Sequence, residues 1–245
     1  MRKYFSLLAG SLLLLSCGKS DNNPVAPEET YPGKITGTVN LYNTFATLSG
    51  DHTDVLVSAE GQKTISTATT ADGKYTLSNI PAGKYTLVFS KPGFGTYKIY
   101  DIQHNGTSAL TVPASEKVEL YAVATAPINS FSLENGKILK GTVPPRPDGG
   151  DRVLALLAGK SKTPTPTIYD FSQIFPVKGG GNFSQNVDSL LTAWKSAYQL
   201  SSGSKLFCSL HTVTSTRATY LLPGTSTRIY PSLSAESVPF ELVIP

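Results

Sequence analysis

The sequence predicts an all-β protein built as two small antiparallel β-sandwich domains in tandem. Three observations carry that expectation. Charged residues make up only 16% of the 245-residue chain, whereas Gly (21), Pro (17) and Tyr (12) are plentiful; a globular domain usually carries about a quarter charged residues. From Lys34 onward, alternating segments such as KITGTVNLY and DVLVSAEG follow one another between turn residues, the pattern of half-buried strands. The word GKYTL also occurs twice, at 73–77 and 83–87. Its offset is even, so Tyr and Leu of both copies fall on one strand face and Lys and Thr on the other. Two neighbouring antiparallel strands, turned by Pro81 and Gly83, are expected there.

The first element is MRKYFSLLAGSLLLLSC, with Arg2 and Lys3 ahead of an apolar run from Phe5 to Leu15, then Ser16 and Cys17. That run is far short of the ~20 residues a membrane-spanning helix needs, and it reads as a secretory h-region. Leu14-Leu15-Ser16-Cys17 resembles the bacterial lipobox. The resemblance implies that residues 1–16 are a cleaved signal peptide and that Cys17 carries a diacylglycerol on its sulfur, making the membrane a partner through this anchor. An ordinary signal peptide that happens to hold a cysteine is the alternative. Gly18, in place of Asp, resembles the outer-membrane sorting rule of Gram-negative lipoproteins. The run SDNN resembles the polar export tags of Bacteroidetes surface lipoproteins. The expected location is therefore the outer membrane, on its surface or periplasmic face. Residues 17–33 are polar and rich in Pro and Gly, which suits a flexible tether.

With Cys17 acylated, Cys208 is the one remaining thiol, so no intramolecular disulfide is expected. Cys208 lies in the alternating stretch LFCSLHTV and reads as a small buried hydrophobe, with no activating motif around it. Removal of Arg2 and Lys3 lowers the formal charge of +4 to about +2. No Lys/Arg cluster stands out, and no nucleic-acid partner is expected.

Residues 34–125 form the first expected sandwich. The stretch TTADGKYTLSNIPAGKYTLVFSKPGF resembles the core of the carboxypeptidase regulatory-like domains, which are small transthyretin-like sandwiches. By that resemblance Gly37-Thr38-Val39 would supply the first strand, Val55 and Val57 the second, Asp72-Gly73 the hairpin turn, and Pro92-Gly93-Phe94 the segment after the fifth strand. The resemblance implies a rigid appended module that performs no chemistry of its own. No H-x-x-E zinc pair of a metallocarboxypeptidase occurs in the sequence.

Residues 126–245 form the second. FSLENGKILKGTV, RVLALLAG, KLFCSLHTV, ATYLLPG, RIYPSLS and VPFELVIP read as strand pieces separated by turns. The stretch from SGSKLFCSLHTV to RIYPSL resembles fibronectin-type-III-like modules of bacterial surface lipoproteins. Val187, Leu190, Leu191, Trp194 and Tyr198 recur at helical spacing, which places a short helix among the strands. Lys160 to Gly181, rich in Pro, Thr and Gly, reads as a long loop.

The common enzyme signatures do not occur in the sequence. His52, His104 and His211 lie far apart, and H-E-x-x-H, G-x-S-x-G and the P-loop do not occur. No cofactor and no metal are expected: Asp51, His52 and Asp54, like Asp148 and Asp151, read as solvated turns before they read as a cation site. Asp188-Ser189-Leu190 resembles a short Bacteroidetes glycosylation motif. Trp194, the one tryptophan, is the candidate ligand contact, because exposed aromatics stack on sugars and anchor interfaces; the competing reading makes it a core residue. The function expected is a non-catalytic envelope lipoprotein that binds or interacts, with glycan capture or adhesion as its task. A structural accessory subunit joined to envelope-protein partners is the alternative, and a hydrolase with an unrecognised site is a distant third.

Overall fold

A computed structural model describes residues 31–61, 64–112 and 118–245. The signal peptide, Cys17 and most of the tether lie outside the described residues. Tyr31–Pro245 is one compact unit, and it holds two sandwich cores.

The first module opens with β1 (Lys34–Tyr42), followed by β2 (Leu56–Glu60), β3 (Ile65–Ala68), β4 (Lys74–Ser78), β5 (Ala82–Ser90), β6 (Tyr97–Asn105), β7 (Ala109–Thr111) and β8 (Val118–Tyr121). One sheet runs β3-β2-β5-β6, all antiparallel. In the other, β1 pairs antiparallel with β4 on one edge; on the opposite edge it takes β7 along Lys34–Thr36 and β8 along Val39–Tyr42, both parallel.

This arrangement corrects one expectation. The two GKYTL copies are β4 and β5, and they belong to opposite sheets rather than to neighbouring strands. The in/out code is nevertheless as read: Tyr75, Leu77, Tyr85, Leu87 and Phe89 are all buried. Side chains with one code can meet across a core as readily as along a sheet. The connector decides between the two. Ile80 is fully buried and donates its N–H to Gly33 O at 3.0 Å, while Asn79 adopts φ +60°, so the chain crosses over the core edge instead of folding back in a tight turn. Tyr75 then meets Phe89 edge-on from the facing sheet, with centroids 5.7 Å apart.

The second module contains β9 (Asn129–Glu134), β10 (Ile138–Val143), β11 (Arg152–Gly159), β12 (Phe171–Val177), β13 (Gly181–Asn186), α1 (Asp188–Ala197), β14 (Lys205–Val213), β15 (Tyr220–Leu221), β16 (Arg228–Ile229) and β17 (Val238–Val243). A three-stranded sheet, β13-β10-β9, faces a four-stranded one, β12-β11-β14-β17. Seven strands divided three and four suit the fibronectin-type-III-like sandwich. The segment read as a long loop, Lys160 to Gly181, instead contains β12. Phe171, Phe175 and Val177 are buried there, and this period-two pattern outweighs the loop-forming residues around it. The stretch RVLALLAG is apolar on both faces because both are covered. Leu154 and Leu156 point into the sandwich, whereas Ala155 and Leu157 pack with Val213 of β14 beneath Tyr230 and Leu233 from the excursion between β14 and β17.

The two modules meet through a built joint. The Ala124 N–H donates to Ser232 O at 3.1 Å, and within the second module Thr212 Oγ1 donates to Ala126 O at 2.8 Å, fixing the first residue after the boundary. Tyr220 packs against Tyr97 and Tyr100 of β6, with centroids 5.6 and 6.1 Å apart. Arg146 and Arg152 lie 5.7 and 5.9 Å from the centre of the Phe45 ring, and Arg146 also donates to the Phe45 carbonyl.

Candidate functional site

Trp194, the candidate ligand contact, is a packing residue in the structure. It is 7% exposed and stacks on Phe171, with centroids 5.1 Å apart and planes at 26°. The helix that carries it, α1, follows β13 in the chain and buries Leu191 and Trp194 in the second core. The exposed aromatic beside it is Tyr198, half exposed, whose ring lies 4.6 Å from Phe171. Cys208 is buried, and desolvation pushes its thiol up to about 12, so it holds almost no thiolate near neutrality.

The histidines are held apart in structural roles. His52 Nδ1 accepts the Leu41 N–H at 3.0 Å. His104 Nδ1 accepts the Gly106 N–H at 2.9 Å, and its Nε2 faces the Lys34 and Ser108 carbonyls at 3.2 and 3.0 Å. His211 forms a pair that no sequence motif marks: its Nε2 lies 3.1 Å from Ser209 Oγ and its Nδ1 lies 3.0 Å from Ser234 O. The i, i+2 spacing on one strand face was the available signal. Two carbonyl partners make the His104 Nε2 a donor; the single carbonyl at the His211 Nδ1 makes that nitrogen one too. Ser209 has no exposed surface, so no substrate reaches its hydroxyl. The Ser–His pair acts as a buried polar rivet, and burial holds the imidazole below its usual range.

The acidic turns are also internally engaged. Asp51 accepts from Thr53 N at 2.9 Å and Oγ1 at 3.1 Å, which lowers its pKa. Asp148 accepts from Arg146 Nε at 2.8 Å and is held down to about 2. Asp151 accepts the Gly179 N–H at 3.0 Å. Among the described residues, no group of three His, Cys, Asp or Glu side chains could hold a metal ion.

What the structure adds is a cleft in the second sandwich. Its volume is about 240 Å³, and it opens where the edge strands β12 and β13 part. Leu139, Leu154, Leu210, Phe175 and Phe183 form its floor, while Lys178, Asn182, Ser184 and Gln185 stand around its mouth. Gly141 positions part of that floor: a Cβ there would lie 2.8 Å from the Phe183 ring, so its absence lets Phe183 lie close over β10. No sequence motif marks the cleft. Its walls come from strands whose separation depends on how the two sheets splay.

Among solved structures, a cohesin–X-dockerin complex of Acetivibrio cellulolyticus shares 20% identity over 37% of this chain, at a TM-score of 0.31, and this chain spans 58% of that one. A DUF3823 family protein of Parabacteroides merdae shares 16% identity over 84% of this chain and 98% of its own, with a TM-score of 0.26. The FN1–FN3 domains of chicken CNTN1 share 9% over 85% of this chain and 63% of that chain, also at 0.26. No curated protein matches the sequence. The family model described as the carboxypeptidase regulatory-like domain matches residues 34–120, and it is to this family that the first sandwich belongs.

Proposed function

We propose that this protein is a non-catalytic interaction protein of the bacterial envelope, anchored by a lipid on Cys17 and exposed at the outer membrane. In this reading the carboxypeptidase regulatory-like module is a rigid stalk. The second sandwich presents the recognition surface, with a glycan as the ligand class in capture or adhesion. The observation that carries the reading is the joint. The Ala124–Ser232 hydrogen bond, the Tyr220 contacts with Tyr97 and Tyr100 and the Arg146 and Arg152 contacts with Phe45 bind the two modules into one frame. A stiff frame displays loops at a fixed distance and orientation, which lowers the entropy lost on capture. The same stiffness favours a second reading, an accessory subunit that spaces the parts of an envelope complex.

Two measurements test the proposal. Wild-type protein should incorporate labelled palmitate and fractionate with the outer membrane, and Cys17→Ala should do neither; a variant that fractionates unchanged would overturn the anchor. In native gels cast with soluble polysaccharides, residues 31–245 should be retarded by at least one glycan class. Free migration through every gel, together with stoichiometric recovery in an envelope complex, would overturn capture in favour of the accessory role.

A further inference from the structure

The cleft between β12 and β13 combines features that neither a wholly polar nor a wholly apolar ligand satisfies. Its floor is carbon: Leu139, Leu154 and Leu210 with the Phe175 and Phe183 rings. A sugar or an inorganic ion pressed onto that floor would lose water and gain no hydrogen bond in return, which disfavours both. At the mouth the chemistry changes. Asn182 and Ser184 are neutral hydrogen-bonding side chains, and Lys178 is the one charged residue of the lining. Among the described residues Lys178 enters no ion pair, unlike Lys74, Lys84, Lys137, Lys140 and Lys205. Asp151 reaches the same turn, but its carboxylate takes the Gly179 N–H.

We propose that this cleft is a binding site for a small amphipathic monocarboxylate, with its hydrocarbon body on the leucine and phenylalanine floor and its carboxylate at the mouth beside Lys178 and Asn182. The charge fixes the orientation. A carboxylate driven inward would be desolvated with no cation to meet it, whereas at the mouth it keeps part of its water and gains the ammonium. Burial of the hydrocarbon supplies the affinity, in proportion to the apolar area removed from water. Two edge strands form the walls, so a ligand can enter without breaking a ladder hydrogen bond. The site does not depend on glycan capture, and the polysaccharide gels do not probe it.

The test uses residues 31–245, the compact unit that carries both cores. Octanoate and its neutral analogue octan-1-ol are titrated while the methyl NMR signals of Leu139, Leu154 and Leu210 are followed. Octanoate should shift these methyls saturably and bind roughly ten-fold more tightly than octan-1-ol, a difference of about 1.4 kcal/mol. Lys178→Gln, an exposed substitution that leaves the core intact, should abolish that preference and leave the alcohol's affinity unchanged. Absence of any cleft methyl shift at millimolar octanoate would overturn the site. Equal octanoate affinity in wild type and Lys178→Gln would overturn the assignment of the head group, as would shifts confined to residues away from the cleft.

Discussion

Trp194 shows how one side chain can carry two opposite meanings until its surroundings are known. Stacked on Phe171 and nearly closed to solvent, it should emit at short wavelength and resist iodide quenching. Trp194→Ala should lower the unfolding free energy by ~3–5 kcal/mol through the cavity it leaves, measured by denaturant titration. An exposed-type emission spectrum would contradict this packing. His211 makes a separate prediction. Its folded pKa is lowered by burial, while the unfolded imidazole titrates near 6.5. As pH falls, the unfolded chain takes the proton first. The stability His211 contributes is therefore complete above about pH 6.5 and shrinks as pH drops toward the folded pKa. The denaturation midpoint should be lower at pH 5.5 than at pH 7.5, and the difference should be smaller in His211→Gln. The same pH dependence in both proteins would place the effect on another group.

At the scale of the element, the strands were legible and their partners were not. Alternation placed Tyr75, Leu77, Tyr85, Leu87 and Phe89 correctly on the buried face, because side-chain direction is a local property of an extended chain. Whether β4 and β5 lie side by side or face to face depends on the crossing at Asn79 and Ile80, which periodicity does not encode. In the same way, the repeat of Leu and Trp at helical spacing announced α1, whereas Pro and Thr around β12 concealed a strand and one wall of the cleft. The two glycines of the repeat separate cleanly. Gly73 has φ +77°, and a Cβ there would lie 2.1 Å from Val39 O. Gly83 lacks a positive φ, and its Cβ would meet only the Tyr85 ring at 3.6 Å, so of the two repeat glycines only Gly73 needs the freedom a missing Cβ gives. Gly73→Ala should destabilise the protein by at least ~1–2 kcal/mol, the usual cost of the left-handed region. Gly83→Ala should be near neutral in thermal melts. Equal losses at the two sites would contradict the described turn.

For the whole molecule, the question is what makes two sandwiches one frame, and Gly95 offers a way to ask it. Its N–H donates to Tyr121 O at 3.1 Å within the first module. A Cβ on it would sit 2.2 Å from the Pro231 carbonyl oxygen of the second, a distance that no side chain tolerates without movement. The backbone of Gly95 has no positive φ, so a larger residue there strains the joint and not the fold of the first sandwich. Gly95→Val should therefore leave both cores folded while parting the modules. Two signals at the joint report on this. The Ala124 amide, now bonded to Ser232 O, should exchange at least ~10-fold faster, since opening the joint replaces global unfolding as its route to solvent. The Tyr220 phenol, pushed up to about 12 by burial and by Tyr100 and Tyr97, should return toward the ordinary value of about 10 once those rings separate. If Gly95→Val keeps the Ala124 amide as protected as wild type while Tyr220 still titrates near 12, the contact at Pro231 is not what joins the modules. The stiffness would then rest on the Arg146 and Arg152 contacts with Phe45 at the joint's other contact.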